Sequence, residues 1–318
     1  MTGFGSSAAA GAGPAVAQVG NGDGVGALIE ALAPTIRPRD DWGGDLPATG
    51  PITTESDVRF LLVHHTASPN DYGPDEVIDQ IRGFYRFHTG PEKGWPDVAY
   101  NFFVDRFGGI WEARAGSAAG PIRGDATGGS QGHAILCSLI GNHHVEPITD
   151  DAQASLVSLL AWLAVRYDVD PTPGTTTDFV SRGSSRWPAG VAVTARTISG
   201  HRDMSDTTCP GDAFYPLLGD VVPAAVTATV TAAAETLAPV ESDEEVVLVP
   251  TESTTSITTS STTSPSTIAG IETAAATPVA NDDPVGRLAP FGAAAAGLGA
   301  VLLAGLSRLR GRAQPDAN

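Results

Sequence analysis

Lysine is nearly absent from this chain: its 318 residues contain one, Lys93, beside seventeen arginines. Basic residues are scarce altogether, with 18 Lys and Arg against 36 Asp and Glu and a formal net charge of −18. Nucleic acid is excluded as a partner on that balance, because a phosphate backbone needs a basic face. No Lys or Arg lies between Arg202 and Arg287, a stretch that carries Glu235, Glu241, Asp243, Glu244, Glu245, Glu252, Glu272, Asp282 and Asp283. Residues 251–280 hold no aromatic side chain and are dominated by Thr, Ser, Ala and Pro, so they cannot build a core. Residues 221–288 read as an acidic, disordered linker or stalk. Residues 1–33 also lack Lys and Arg. Ala15-Val16-Ala17 has the form of a signal cleavage site, but a charged start and a solid apolar stretch are missing. A truncated signal peptide and a disordered leader both fit.

Cysteine is rare too. The chain has Cys137 and Cys209, enough for a single bridge in an exported protein. Their contexts differ. Cys137 sits in the apolar run Ala134-Ile135-Leu136-Cys137-Ser138-Leu139-Ile140, where a thiol packs as a small hydrophobe. Cys209 sits in a loop close to His201, as a metal thiolate would. One core thiol and one metal ligand are therefore expected instead of a bridge.

What is present lies mostly between residues 34 and 220, which hold every Trp and Tyr and all Phe but Phe4 and Phe291. That is long enough for a real core. Residues 58–63 read as a central strand ending at His64. Residues 75–88 have helical spacing at Val77, Ile78, Ile81, Phe84 and Tyr85, with Pro74 at the start and Gly90-Pro91 as the stop. Residues 100–104 and 110–113 read as a hairpin around Phe107-Gly108-Gly109. Residues 114–132 are a loop and 134–140 a buried strand. Residues 150–167 form a helix capped by Asp150 with Gln153, its apolar face made of Leu156, Leu159, Leu160 and Leu163. Strand and helix alternate without internal repeat, which predicts an α/β fold with a central mixed β-sheet flanked by helices. Residues 289–306 are an uncharged run followed by Arg308, Arg310 and Arg312. They predict a single transmembrane helix with a basic cytoplasmic tail, 307–318, and the rest of the chain outside; a flexible tail is the alternative. The preference for Arg over Lys, with abundant Ala and Gly, suggests a GC-rich bacterial coding sequence.

The chemistry concentrates in Gly200-His201-Arg202-Asp203 and in Thr207-Thr208-Cys209-Pro210-Gly211-Asp212. A His and a Cys eight residues apart, bracketed by Gly and Pro, suit two ligands of one metal. A third candidate lies upstream in Val63-His64-His65-Thr66-Ala67. Two imidazoles and one thiolate leave zinc a fourth position for water, which is the layout of a hydrolytic site. No Asp or Glu stands out as a general base.

These segments resemble the peptidoglycan-recognition-protein and type 2 amidase family of zinc N-acetylmuramoyl-L-alanine amidases. The resemblance rests on four segments in the family's order. They are Phe60-Leu61-Leu62-Val63-His64-His65-Thr66-Ala67; Trp95-Pro96-Asp97-Val98-Ala99-Tyr100-Asn101-Phe102-Phe103-Val104-Asp105; Ile110-Trp111-Glu112-Ala113-Arg114; and the His201 and Cys209 segments above. Ile36-Arg37-Pro38-Arg39-Asp40-Asp41-Trp42-Gly43 looks like the family's entry segment, so the match covers about 34–220. The resemblance implies a groove for glycan-linked peptide, zinc as cofactor, and His64, His201 and Cys209 as its ligands. It also implies Tyr100 beside the zinc-bound water and Thr207 as a second catalytic position. The implied partner is peptidoglycan and the implied activity is cleavage of the N-acetylmuramoyl-L-alanine amide, by a monomer at the cell surface. Members that lose the cysteine become receptors, so a non-catalytic peptidoglycan-binding surface protein is the alternative. One departure bears on that choice. The family's Gly-x-His-x-x-Gly-x-Asn loop is replaced by the Gly/Ser-rich residues 120–133, where Arg123, Asp125, Thr127 and Gln131 are the available polar contacts.

Remaining polar residues have ordinary readings as well. Strand alternation turns His65 away from His64. His88 suits a helix C-terminus or the groove. His143 and His144 read as solvated or, at most, as neighbours of the metal's ligands. Trp95 and Trp187 suit groove walls or core packing.

Overall fold

The computed structural model describes residues 22–126 and 132–238. The Thr/Ser-rich stretch, the uncharged run 289–306, Thr127 and Gln131 lie outside the described residues. No helix among the described residues is long and apolar enough to cross a membrane.

In chain order the elements are α1 (Gly22–Leu32), β1 (Ile36–Arg37), α2 (Asp40–Gly43), β2 (Phe60–His65), a 3-10 turn (Pro74–Glu76) running into α3 (Val77–Thr89), β3 (Phe102–Val104), β4 (Ile110–Glu112), β5 (Ala134–Leu139), α4 (Asp150–Arg166), β6 (Thr176–Val180), β7 (Ala192–Arg196), β8 (Ile198–Gly200), α5 (His201–Met204), a second 3-10 turn (Tyr215–Leu218) and α6 (Val221–Leu237). Six strands form one mixed sheet in the order β1-β4-β3-β5-β2-β8. Only β3 and β4 pair antiparallel in it; the other neighbours are parallel. The central strands β2 and β5 are buried at every position, as expected of parallel strands covered on both faces.

Alternation along β2 divides the core. Leu61 and Val63 join Phe102, Val104, Ile135 and Cys137 in a cluster closed by α1, α4 and α6. Phe60 and Leu62 join Phe103, Ala134 and Leu136 in a second cluster with residues of α3, Trp42, Tyr100 and the β6–β7 hairpin. Each Leu, Ile, Val or Phe side chain among them, fully buried, contributes on the order of 1.5–3 kcal/mol by its removal from water. The packed unit is wider than 34–220. Leu28 and Leu32 of α1 and Val222, Val226 and Val230 of α6 belong to the first cluster, so segments expected as leader and linker contribute core. The α4 cap also differs from expectation. Thr149, not Asp150, is the N-cap, its hydroxyl accepting from Ala152 N–H at 3.2 Å. Asp150 and Asp151 occupy the first turn, where the helix dipole favours negative charge.

Candidate metal centre

The register of the sheet assembles the site. β2 and β8 run parallel with Val63 opposite Gly200. The next residue on each path is a histidine, so His64 and His201 emerge side by side at the strands' carboxyl ends, ring centroids 4.5 Å apart. On the other flank Ser138 of β5 lies opposite His64. Cys209 arrives on the loop after α5. Arg202 N–H donates to Cys209 O at 2.9 Å and Cys209 N–H to Thr207 Oγ1 at 3.2 Å, which bends the loop back to the histidines.

One donor atom from each of His64, His201 and Cys209 lies within 4.8 Å of the others. Cys209 Sγ is 3.7 Å from His64 Nδ1. A tetrahedral zinc with bonds of about 2.0–2.1 Å to nitrogen and 2.3 Å to sulfur needs such pairs about 3.6 Å apart. His64 is fully buried, its Nε2 has no hydrogen-bond partner, and its Nδ1 meets only the thiol. With one ring nitrogen orphaned and the other facing only a weakly bonding thiol, the ring is under-satisfied for a buried imidazole, and a cation would satisfy it. Burial pushes His64 well below its ordinary pKa and His201 down to about 4, so both rings are neutral donors. Burial pushes the Cys209 thiol up to about 12 against the opposing pull of His65 N–H and Arg202. A metal entering this cluster would displace that proton. The donor set fits zinc.

Tyr100 packs against the cluster, its ring 5.1 Å from that of His64. Burial, with Cys209 and against Ser138, raises its pKa, so the phenol keeps its proton at neutral pH. Thr207 is half-buried and shapes the cysteine loop through the bond named above. Asp97 and Asp105 are committed elsewhere. Asp97 holds Arg39 at 2.8 Å and the amides of Val98 and Ala115; Asp105 holds the amides of Phe107 and Gly109 and the Trp111 indole.

His65 turns away from His64 as alternation predicts, yet its backbone N–H donates to Cys209 Sγ at 3.3 Å and its Nδ1 accepts from His143 N–H at 3.1 Å. His143 is buried, not solvated, because its carbonyl accepts from Ala213 N–H and its ring meets Glu146 O. His144 lies against Thr208 Oγ1 at 2.9 Å. His88 is buried, accepts from Ala99 N–H at 3.3 Å, and packs between Trp95 and Tyr100. Trp95 and Trp187 are half-buried against the second core cluster. Arg123 pairs with Glu55 at 3.5 Å and Asp125 with Arg114 at 2.6 Å, so both are tied into the structure in place of the open contacts expected of them. Ser138 and the His65 amide are the neighbours that sequence reasoning passed over. Ser138 carried a faint signal as the one hydroxyl in an apolar strand; the amide carried none, since backbone groups leave no mark in a sequence.

A family model described as N-acetylmuramoyl-L-alanine amidase matches residues 54–212, which is 159 of the 318 residues. Peptidoglycan recognition protein 1 of Mus musculus is 29% identical over 184 residues, covering 58% of this chain and 85% of that protein. Peptidoglycan-recognition protein SC2 of Drosophila simulans is 27% identical over 180 residues, 57% of this chain and 82% of the relative. The N-acetylmuramoyl-L-alanine amidase of Sus scrofa is 28% identical over 187 residues, 58% of this chain, which spans only 27% of that enzyme. The crystal structure of Drosophila peptidoglycan recognition protein SD aligns with a TM-score of 0.46 and 19% identity over 58% of this chain and 94% of that one. The matched region takes in His64, Tyr100, His201 and Cys209, and the chain belongs to the N-acetylmuramoyl-L-alanine amidase family, in which amidases and peptidoglycan recognition proteins stand together.

Proposed function

We propose that this chain is a zinc hydrolase that cleaves the amide between N-acetylmuramic acid and the first L-alanine of peptidoglycan, outside the cell membrane. The observation that carries the reading is Cys209, within ligand reach of both histidines and held there by the His65 amide. His64 and His201 would supply neutral imidazoles to the ion and Cys209 a thiolate. Zinc bound there supplies Lewis-acid activation of water and of the amide carbonyl. With its phenol protonated, Tyr100 acts as a hydrogen-bond donor to the charge that develops on the carbonyl oxygen, not as a base. Thr207 supports the reaction through the cysteine loop it holds. No carboxylate takes the role of base; the proton released from water leaves to solvent.

The second reading, a non-catalytic peptidoglycan-binding surface protein, is favoured by the altered loop at 120–133 and by relatives named as recognition proteins. One experiment separates the two. The full chain is incubated with purified peptidoglycan and free L-alanyl amino termini are counted, alongside elemental analysis of the protein. The enzyme reading expects one zinc per chain and steady release, with both lost in Cys209→Ala. Co-sedimentation with the wall polymer and no release, in a zinc-loaded sample, would establish the binder instead.

A further inference from the structure

α5 is a single turn, His201–Met204. Ser205 N–H donates to His201 O at 3.0 Å, closing that turn. The next three carbonyls are those of Arg202, Asp203 and Met204. The tip of the β6–β7 hairpin meets them in order. Arg186 Nη1 donates to Arg202 O at 2.6 Å, Trp187 Nε1 to Asp203 O at 3.0 Å, and Ser184 Oγ to Met204 O at 2.7 Å. Asp206 N–H returns a bond to Ser185 Oγ at 2.8 Å. Ser184 is preset for this contact: its hydroxyl oxygen accepts from Trp187 N–H and Arg186 N–H, so its one proton is left for Met204 O. The hairpin itself is anchored, with Phe179 packed on Phe60 at 5.3 Å and Val193 buried in the second cluster. From the opposite side, Asp203 accepts from Gly200 N–H, Arg196 and Tyr215.

We propose that the hairpin tip, through Ser184, Arg186 and Trp187, is a clamp that positions the His201 imidazole for zinc. These are positioning residues: they touch the turn that carries the ligand. The inference rests on His201 being a zinc ligand, and its alternative is that the tip satisfies three carbonyls with no consequence for the metal. A ligand-bearing turn held at three successive carbonyls cannot swing its first residue away from His64 and Cys209. Loosening it raises the ordering cost of binding, and outer partners of metal ligands typically govern affinity by 10–100-fold.

The test is zinc affinity of the full-length chain, measured by competition with a chromophoric chelator. Ser184→Ala combined with Trp187→Phe removes two donors and keeps the ring on the core; it should weaken zinc binding about tenfold. Ser184→Thr, which keeps the hydroxyl, should retain native affinity. Thr194→Ala, which removes a 2.5 Å bond to Asp178 away from the tip, should do the same. If the double variant does not fold, exposed Arg186→Ala removes one donor and should still weaken zinc by roughly threefold. Native affinity in every folded tip variant overturns the clamp, as does equal weakening by Thr194→Ala. A native chain that binds no zinc overturns the zinc reading, and the clamp with it.

Discussion

At the scale of single residues, two buried thiols have separate fates. Cys137 and Cys209 are both free and buried. Cys137 lies on β5 opposite Val63 and faces the first apolar cluster, where burial alone raises its pKa. Cys209 is buried among imidazoles and amide donors that suit a thiolate once a cation is present. Tyr100 is the residue whose chemistry is most exposed to test. Removal of one donor to a developing oxyanion typically costs about 100-fold or more in rate. Tyr100→Phe should therefore lower alanyl release about 100-fold with zinc content unchanged. Full release by that variant would remove the phenol from the mechanism. That His64 lies beside Cys209 was legible only with the family resemblance, which picked it out of the His64-His65 pair. The use of Thr207 as a brace for Cys209 was not, because a hydroxyl two residues from a ligand looks the same whether it acts on substrate or on the backbone.

At the scale of elements, strong apolar patterning was readable and weak patterning was not. β2, β5, α3 and α4 carry runs or stripes of Leu, Ile, Val and Phe that announce their type. α1 contains Gly22, Gly24 and Gly26, poor helix formers, and is helical where Leu28 and Leu32 can reach the core. α6 is built of Val, Thr and Ala with a single charged residue, Glu235, and shares its composition with the linker that follows. Its buried positions Val222, Val226 and Val230 recur every fourth residue, a stripe visible once α4 supplies a surface for it. Val226→Asp would place an unpaired carboxylate in that contact and should cost about 3 kcal/mol or more. A thermal midpoint lowered by roughly 10 °C is the expected reading. An unchanged midpoint would mean that α6 contributes nothing to the domain's stability.

At the scale of the whole molecule, the described fold stores several histidines in their neutral form. Burial pushes His65 and His88 down to about 3 and His201 to about 4, and lowers His64 and His143. A histidine whose folded pKa is depressed binds fewer protons folded than unfolded, so its contribution is complete above the unfolded value of about 6.5 and is lost as pH falls towards the folded one. His88 isolates the effect, since it lies outside the metal cluster and is held by Ala99 N–H, Trp95 and Tyr100. Its share of the loss between pH 7 and pH 5 is about 2 kcal/mol. Denaturant melts of the native chain should weaken steadily across that interval, and His88→Gln should flatten the slope by nearly one proton. Parallel slopes for the two proteins would show that His88 takes up its proton equally in the folded and the unfolded chain.

The sequence by itself determined the class of the fold, through the alternation of strand and helix patterns, and it offered the candidate metal ligands through residue types and a family resemblance. Only the tertiary structure decided which flanking segments join the core, how β2 and β8 align to bring His64 beside His201, and which backbone groups restrain Cys209 and the α5 turn. Those depend on register and on hydrogen bonds between segments far apart in the chain. Register is set by the packing of both sheet faces at once, and a backbone amide has the same chemistry at every position until the fold gives it a neighbour.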